Sequence, residues 1–344
     1  MDSTTPLSRW LAEHAGLADA RLGQRLGGGN SNVTQLIEHR DGFAVLRRPP
    51  DNAISASAAS GVRREFQMLS ALHDHAPVPR ALGFCDDASV LGVPFAVVQH
   101  VDGVAISTEL PAEYASGAGT LNAIGSELID ALATVHTLDW RALGIEPPNA
   151  PQDYVAKQIH RWLKARAAES VRDLPLITEI GTWLQAHLPA PPPASVMHGD
   201  FHLDNTLFRR DVPQLAVIID WELASIGNPY ADLALMLAFW GKRRVDPPGF
   251  SFVQKVTRGS EASVEVCVDR DALAQRWSRR TGLTLDDFEF YRVFALWRLA
   301  AIVEGAFVLF RHGKVADDYS RKLEHDVPAL LEEAAIIAGL RTGA

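Results

Sequence analysis

Alternating apolar and polar positions in the first hundred residues predict a small β-rich unit with one helix. VTQLIEH (33–39) and FAVLRR (43–48) carry β-branched and aromatic residues on either side of Asp41-Gly42, a dipeptide typical of tight turns, so we predict a β-hairpin. SGVRREFQMLSALHDH (60–75) instead has apolar side chains three to four positions apart, which predicts an amphipathic helix. Two short strands are predicted to follow it, the second over FAVVQH.

Beyond about residue 104 the apolar positions take on the period of helices. Amphipathic helices are predicted over residues 121–138, 151–170 and 176–188. The change in period suggests two domains, residues 1–103 and 104–344, and an α+β fold class.

The second half of the chain contains two unusual connections. The proline-rich PAPPPAS (189–195) predicts a stiff, extended connector, and the segment after it predicts a short hairpin over residues 205–221. Helices are predicted to return in the last third. A Gly- and Pro-punctuated loop over residues 244–262 is long enough to predict a lid or a substrate-binding loop.

Composition narrows the class of protein. The chain has 344 residues, 47% of them hydrophobic, and a net charge of −9, so we expect an ordered globular protein that does not bind nucleic acid or anionic membranes. Cys85 and Cys267 are too far apart for a CxxC pair, and the N-terminus lacks a signal-peptide pattern, so we expect a cytoplasmic protein. The apolar stretch FALWRLAAIVEGAFVLF is interrupted by Arg298 and Glu304 and predicts a buried helix rather than a membrane span.

Three polar residues around the predicted hairpin have the spacing of a phosphotransfer site. In SVMHGDFHLDNTLF (195–208), Asn205 follows Asp200 by five positions, and Asp220 ends the apolar run AVIID. Mg²⁺ prefers hard oxygen ligands, which Asn205 and Asp220 offer, and Asp200 supplies a further carboxylate for the nucleophile. The spacing therefore favours phosphoryl transfer to a hydroxyl.

HGDFHLDN together with IDWELASIGNPYADLALML resembles the aminoglycoside phosphotransferase and choline kinase superfamily. The segments LRRPP and LGVPFAVVQHVDG further resemble the branch whose kinase domains are fused to some acyl-CoA dehydrogenases. The resemblance implies a two-lobed, protein-kinase-like fold. Its small β-rich N-lobe and mostly helical C-lobe would bind ATP and Mg²⁺ between them.

The resemblance also assigns roles to individual positions. Asp200 matches the catalytic aspartate, Asn205 and Asp220 match the Mg²⁺ ligands, and His198 begins the catalytic loop. The residues that match nucleotide contacts are the hinge residues Gln99 and Val101, the helix residue Glu65, and Gly28, Gly29, Ser31 and Asn32 of the Gly-rich loop.

One position departs from the family pattern. The first lysine in the chain is Lys157, so no N-lobe lysine can reach the nucleotide phosphates, and the matching position is Arg47. Arginine has a fixed charge and forked donors that suit phosphate oxygens and can pair with Glu65. The substitution leaves two hypotheses, a working kinase with an altered phosphate clamp and a nucleotide-binding pseudokinase.

Several residues near the motif have alternative interpretations. His198 and His202 have the i, i+4 spacing of zinc ligands on a helix, although Gly199 favours a loop. If the two histidines do not bind zinc, we expect His198 to be a structural hydrogen-bonding residue in the loop. His202 is then expected either to line the active site or to pack against it. Asp232 is either a helix N-cap or, as the resemblance implies, a brace for the catalytic loop.

The other charged or polar residues of interest also have alternative interpretations. Glu222 is placed either near a Mg²⁺-bound water or at the surface. His136 is expected to be a buried residue at a helix end, and Arg298 and Glu304 are expected to pair with each other or with the catalytic loop.

The resemblance implies that the acceptor is a small hydroxylated molecule. The acyl-CoA-dehydrogenase-associated branch implies a hydroxyacyl or another hydroxylated metabolite, and the alternative is an aminoglycoside, which would need a carboxylate-lined pocket.

Overall fold

The computed structural model describes residues 5–26, 32–50, 56–106, 110–115, 117–147, 150–240 and 269–342. The predicted loop at 244–262 lies outside these residues. The described strands are β1 (Arg21–Arg25), β2 (Val33–His39), β3 (Gly42–Arg48), β4 (Ala81–Cys85), β5 (Phe95–Gln99), β6 (Ser195–Met197), β7 (Thr206–Phe208), β8 (Leu215–Ile218) and β9 (Ser225–Gly227). The described helices are α1 (Pro6–His14), α2 (Ala56–Leu72), α3 (Ala88–Leu91), α4 (Ala118–His136), α5 (Tyr154–Ala168), α6 (Pro175–Ala186), α7 (Pro229–Phe239), α8 (Arg270–Thr281), α9 (Phe288–Arg311) and α10 (Asp318–Ile337).

Strands β1 to β5 form one antiparallel sheet in the order β1-β2-β3-β5-β4. The predicted hairpin is β2–β3, and its turn ends at Gly42, whose φ of 138° favours glycine. Because side chains alternate along a strand, Ala44 and Leu46 share one face of β3, whereas Val45 and Arg47 share the other. Arg47 therefore lies on the face of the sheet that carries α2.

Helix α1 covers the other face of this sheet and was not predicted from the sequence. Thr5 caps the helix by accepting a hydrogen bond from the Ser8 backbone N–H at 3.1 Å. Leu11 is 1% exposed and packs in one cluster with Ala44 and Leu46. Both faces of the N-terminal sheet are therefore covered by helices.

Two short strand pairs frame the motif at 195–208. The predicted hairpin over 205–221 is confirmed as β7–β8, with Thr206 opposite Ile218. Strand β6, which follows the proline-rich connector, pairs with β9, and this pairing was not predicted. The residues between β6 and β7 are held as a loop between the two strand pairs.

The C-terminal helices pack around α9, which confirms the prediction of a buried helix. Among the described residues α9 alone is long and apolar enough to cross a membrane, but 67% of its apolar window is buried inside the protein. Its two interior charges do not pair with each other as one interpretation expected. Arg172 donates to Glu304 through its Nε at 3.1 Å, while Arg298 donates to the carbonyl oxygen of Gly199 at 3.4 Å. Arg298 and Glu304 are six positions apart in α9, so their side chains lie about 120° apart around the helix axis.

Candidate active site

The segment that joins β6 to β7, residues 198–205, forms a tight loop that requires glycine at its second position. Gly199 has a φ of +87°, and a Cβ atom there would lie 2.5 Å from the carbonyl oxygen of Leu223. The loop ends in a single 3₁₀ turn, Leu203–Asn205. His198 and His202 therefore do not share a helical face, and the described residues contain no cluster of three or more His, Cys, Asp or Glu side chains that could hold a metal ion.

Asp232 of α7 holds the start of this loop through two backbone hydrogen bonds. Its carboxylate accepts from the N–H of His198 at 2.6 Å and from the N–H of Gly199 at 2.9 Å, and the residue is 1% exposed. The side chain that caps α7 is Asn228, which accepts from the N–H of Tyr230. The brace interpretation of Asp232 is thus confirmed, and the N-cap interpretation is wrong.

The His198 side chain links the loop to the segment that carries Asp220. Its Nε2 donates to the carbonyl oxygen of Ile219 at 2.8 Å, and its Nδ1 accepts from the Asp200 N–H at 3.3 Å. Burial lowers the pKa of His198 below its ordinary value, against the opposing charge of Asp232, so the neutral ring is favoured. The structural interpretation of His198 is confirmed.

Asp200 and Asn205 contact each other directly. The Asn205 Nδ2 donates to the backbone oxygen of Asp200 at 2.8 Å and to its Oδ2 at 3.2 Å. No described residue donates to the Asn205 Oδ1, so this oxygen is left as a potential metal ligand.

The Asp200 carboxylate is 42% exposed, with the His202 Nε2 3.6 Å away. Burial acts to raise the pKa of Asp200, but the hydrogen bonding and charge of His202, with a contribution from Arg298, hold that pKa below its ordinary value. Asp200 is therefore an ionised and accessible carboxylate.

Asp220 lies at the same end of the β7–β8 hairpin as Asn205. The N–H of Ile219 donates to the carbonyl oxygen of Asn205 at 2.9 Å, which ties the two segments together. Asp220 has a φ of 68°, one of two positive values among described non-glycine residues. Backbone strain of this kind persists where the surrounding structure enforces it and is common at functional sites. The carboxylate is 34% exposed.

Arg47 joins the N-terminal sheet to this hairpin. Its Nε donates to Glu65 at 2.7 Å, its Nη2 donates to Asp220 Oδ1 at 2.5 Å, and its Nη1 donates to the Thr34 hydroxyl at 3.3 Å. Burial acts to lower the pKa of Arg47, but the charges of Glu65 and Asp220 outweigh it and raise that pKa. The guanidinium group therefore stays charged between two carboxylates.

The structure describes only some of the residues that were predicted to contact the nucleotide. Asn32 is buried and donates from its Nδ2 to Glu222, whereas Gly28, Gly29 and Ser31 lie outside the described residues. Glu222 therefore accepts a hydrogen bond from Asn32, which is far from it in the sequence, and no observation places Glu222 at a metal.

At the end of β5, Gln99 donates its backbone N–H to Arg80 at 2.8 Å. No described residue accepts the backbone N–H of Val101, which leaves this group available to a ligand.

Sequence reasoning missed part of the surroundings of Asp200. The His202 ring stacks on Phe239, with centroids 4.6 Å apart, so His202 both packs and borders the site. Arg298 donates to the Gly199 carbonyl oxygen at a long 3.4 Å, and its buried Nε has no partner among the described residues. A contact of Arg298 with this loop is one of the two alternatives that the sequence left open, whereas no sequence signal marked Phe239.

Solved structures that superpose on this fold include aminoglycoside phosphotransferases. A candidate aminoglycoside phosphotransferase from Ralstonia eutropha superposes with a TM-score of 0.80 at 23% identity, over 97% of this chain and 98% of that one. A thermostable mutant of aminoglycoside phosphotransferase APH(4)-Ia, solved with ADP and hygromycin B, superposes with a TM-score of 0.59 at 14% identity over the whole of both chains. The fold is therefore the two-lobed, kinase-like α+β fold of these enzymes.

The model of the phosphotransferase enzyme family, APH, matches residues 23–256. The protein belongs to this family.

Curated relatives place the chain near the branch predicted from the sequence. It is 29% identical over 325 residues to mouse acyl-CoA dehydrogenase family member 10, and 29% identical over 314 residues to rat family member 11. These alignments cover 91% and 88% of this chain but 29% and 38% of the relatives. The chain thus spans about a third of the length of the curated relatives it matches, and the predicted resemblance is confirmed.

Proposed function

We propose that the protein transfers the γ-phosphate of ATP, with Mg²⁺, to a hydroxyl group of a small molecule. The observation that carries this proposal is the convergence of Asp200, Asn205 and Asp220 on one end of a hairpin, with Arg47 reaching Asp220 from the N-terminal sheet. An accessible carboxylate, two oxygen ligands and a fixed cation are the groups that phosphoryl transfer requires.

The side chains present fit a magnesium ion. The Asn205 Oδ1 has no described donor, and the contact of Arg47 with Asp220 uses Oδ1, so the second carboxylate oxygen is left for a metal. Mg²⁺ is commonly held by one or two protein ligands together with phosphate oxygens, which agrees with the small number of donors here. Bound Mg²⁺ would neutralise charge that develops on the phosphate oxygens.

The residues of the protein then have distinct tasks. Asp200, ionised and exposed, orients the acceptor hydroxyl and takes its proton. Arg47 contacts the nucleotide phosphates while Glu65 holds it in place. Gly28, Gly29, Ser31 and Asn32 surround the phosphates, and Gln99 and Val101 meet the base with their backbone groups.

We further propose that the acceptor is a hydroxyacyl or another hydroxylated metabolite. The names of the curated relatives refer to acyl-CoA dehydrogenases, which favours an acyl substrate. Arg298 also supports this choice, because a cation beside the catalytic loop suits an anionic acceptor better than a polycationic one. An aminoglycoside is the second candidate, since solved neighbours carry hygromycin B or kanamycin.

A cytoplasmic location and two lobes, residues 1–103 and 104–344, complete the proposal. The location is supported by the cysteine usage, and the lobes by the change from strands to helices near residue 104.

The proposal is tested by measuring ADP formation from ATP with purified protein, with and without Mg²⁺, over a panel of hydroxy acids, hydroxyacyl thioesters and aminoglycosides. We expect Mg²⁺-dependent ADP formation that requires one acceptor class. Mg²⁺-dependent nucleotide binding in a thermal-shift titration, with no turnover on any acceptor, would instead support the pseudokinase hypothesis, which the replacement of lysine by Arg47 motivates.

A further inference from the structure

A buried histidine outside the motif contacts the residue that braces the catalytic loop. His136, at the C-terminal end of α4, is 5% exposed, and its Nε2 lies 3.5 Å from Oδ2 of Asp232. On the other side of the ring, the indole Nε1 of Trp277 in α8 donates to the His136 Nδ1 at 3.0 Å. Both ring nitrogens therefore have a defined partner.

The contact with Trp277 fixes where the ring proton lies. An indole N–H is a donor only, so the His136 Nδ1 must accept and cannot carry a proton. The proton of the ring is therefore on Nε2, directed at the carboxylate of Asp232. Trp277 itself is fully buried, which removes water as a competing partner for either group.

His136 adds a third donor to a carboxylate that already holds two loop amides. Oδ1 of Asp232 accepts from the Gly199 N–H, while Oδ2 accepts from the His198 N–H and faces the His136 Nε2. A buried carboxylate is costly unless its oxygens are hydrogen-bonded, and the side-chain donor limits rotation of the carboxylate. The position of the first two loop residues thus depends on a side chain of α4.

We propose that His136, held in its Nε2–H form by Trp277, is a positioning residue for the catalytic loop and acts through Asp232. Three helices, α4, α7 and α8, thereby fix the backbone immediately before Asp200. The catalytic consequence of this arrangement rests on the proposed function, but the hydrogen-bonded relationship itself does not.

Hydrogen exchange of the full chain tests the relationship without an acceptor. The readout is the exchange of the peptide that contains the His198 and Gly199 amides, relative to a peptide from α6 as a reference for overall stability. We compare the wild type with H136L, which removes the donor, and with H136Q, whose amide can both donate to Asp232 and accept from Trp277. Leu132→Ala is the matched control, because Leu132 is a fully buried residue of the same helix whose apolar side chain cannot hydrogen-bond to Asp232.

We expect H136L to accelerate exchange of the loop peptide about ten-fold relative to α6, since a hydrogen bond to a charged group is lost. H136Q should stay close to the wild type, and Leu132→Ala should leave the ratio unchanged. The proposal is overturned if H136L leaves the ratio unchanged, if Leu132→Ala raises it equally, or if H136Q exchanges as fast as H136L.

A second variant keeps the test available if H136L does not fold. Trp277→Phe retains the ring packing but removes the indole donor. We expect ¹⁵N NMR of the labelled histidines to show the His136 ring in the Nε2–H form in the wild type and as a mixture in this variant. A wild-type ring with its proton on Nδ1 would overturn the proposal.

Kinetics separate this inference from the proposed function. With an active acceptor, H136L should lower kcat about ten-fold with little change in the KM for ATP, and H136Q should restore kcat. An unchanged kcat in H136L overturns the positioning role. A wild type without turnover on any acceptor overturns the proposed function, and the exchange ratio then decides on the His136 relationship alone.

Discussion

Arg47 of β3 donates to Asp220 at the end of the β7–β8 hairpin, at a distance of 2.5 Å. The same guanidinium is paired with Glu65 of α2, so one side chain connects the sheet, its covering helix and the predicted metal ligand. A lysine has a single charged nitrogen and could not present the same fork of donors to both carboxylates. The replacement of the usual lysine by arginine is therefore accompanied by an arrangement that uses the additional donors.

The first prediction concerns the stability that this pair provides. Arg47→Met should lower the free energy of unfolding by about 3 kcal/mol or more, because Glu65 is left buried without its cation. A double variant, Arg47→Met with Glu65→Leu, should recover most of that loss, since no buried charge remains. Urea unfolding of the three proteins measures this. A double variant that is less stable than the single variant would contradict the account.

The second prediction separates backbone strain from steric clash at Gly199, in the loop over residues 198–205. Gly199→Ala and Gly282→Ala both place a side chain at positive φ, +87° and +76°, but only the first Cβ meets a neighbouring atom. We expect Gly282→Ala to cost about 1–2 kcal/mol and Gly199→Ala to cost clearly more. Thermal unfolding of the two variants makes the comparison. Equal losses would indicate that the Leu223 carbonyl does not constrain the loop.

The third prediction concerns the brace. Asp232→Asn replaces one accepting oxygen by an NH₂ group, so one of the two loop amides loses its partner, and stability should fall by about 1–3 kcal/mol together with a reduced kcat. Asn228→Ala removes the cap of the same helix together with a buried hydrogen bond to the Tyr291 hydroxyl, and should cost about 1–3 kcal/mol. Unfolding and steady-state kinetics on both variants test this difference. A fall in kcat of equal size in Asn228→Ala would show that any weakening of α7, not the brace, is responsible.

The fourth prediction follows from the lowered pKa of His198. The unfolded chain binds a proton at this residue near the ordinary pKa of about 6.5, whereas the folded protein resists protonation. The contribution of His198 to the free energy of unfolding should therefore fall as the pH is lowered through the unfolded pKa, from about 7.5 to about 5.5. Urea unfolding at both pH values should show the wild type losing stability relative to His198→Gln, which has no titrating side chain at this position, as the pH is lowered. An equal fall in both proteins would assign the pH dependence to other groups.

Much of the fold could be predicted because the spacing of apolar residues that marks a strand or a helix involves only residues close together in the chain. The alternation over residues 33–48 determines the β2–β3 hairpin, and the helical period identifies α4, α5 and α6. Helix α1 was missed although Thr5 and Pro6 are typical of a helix start, and only its packing against the face of β3 that carries Leu46 depends on the folded sheet.

The part of the site that could be predicted consists of residues that lie close together in the sequence. Asp200 and Asn205 are five residues apart on one loop, and their contact follows from that spacing. The contacts of Arg47 with Asp220, 173 residues away, and of Glu304 with Arg172 depend on how distant elements pack. The sequence offered no signal for these partners.

The most direct test of the central claim is the rate of phosphoryl transfer by Asp200→Asn, measured with Mg²⁺, ATP and an accepted substrate. Positioning and proton transfer by such a group typically contribute about 10²–10⁴-fold, so we expect a kcat at least 100-fold below that of the wild type, with nucleotide affinity nearly unchanged. A variant that keeps the wild-type kcat would contradict the assignment of Asp200 as the catalytic carboxylate and, with it, the proposed active site.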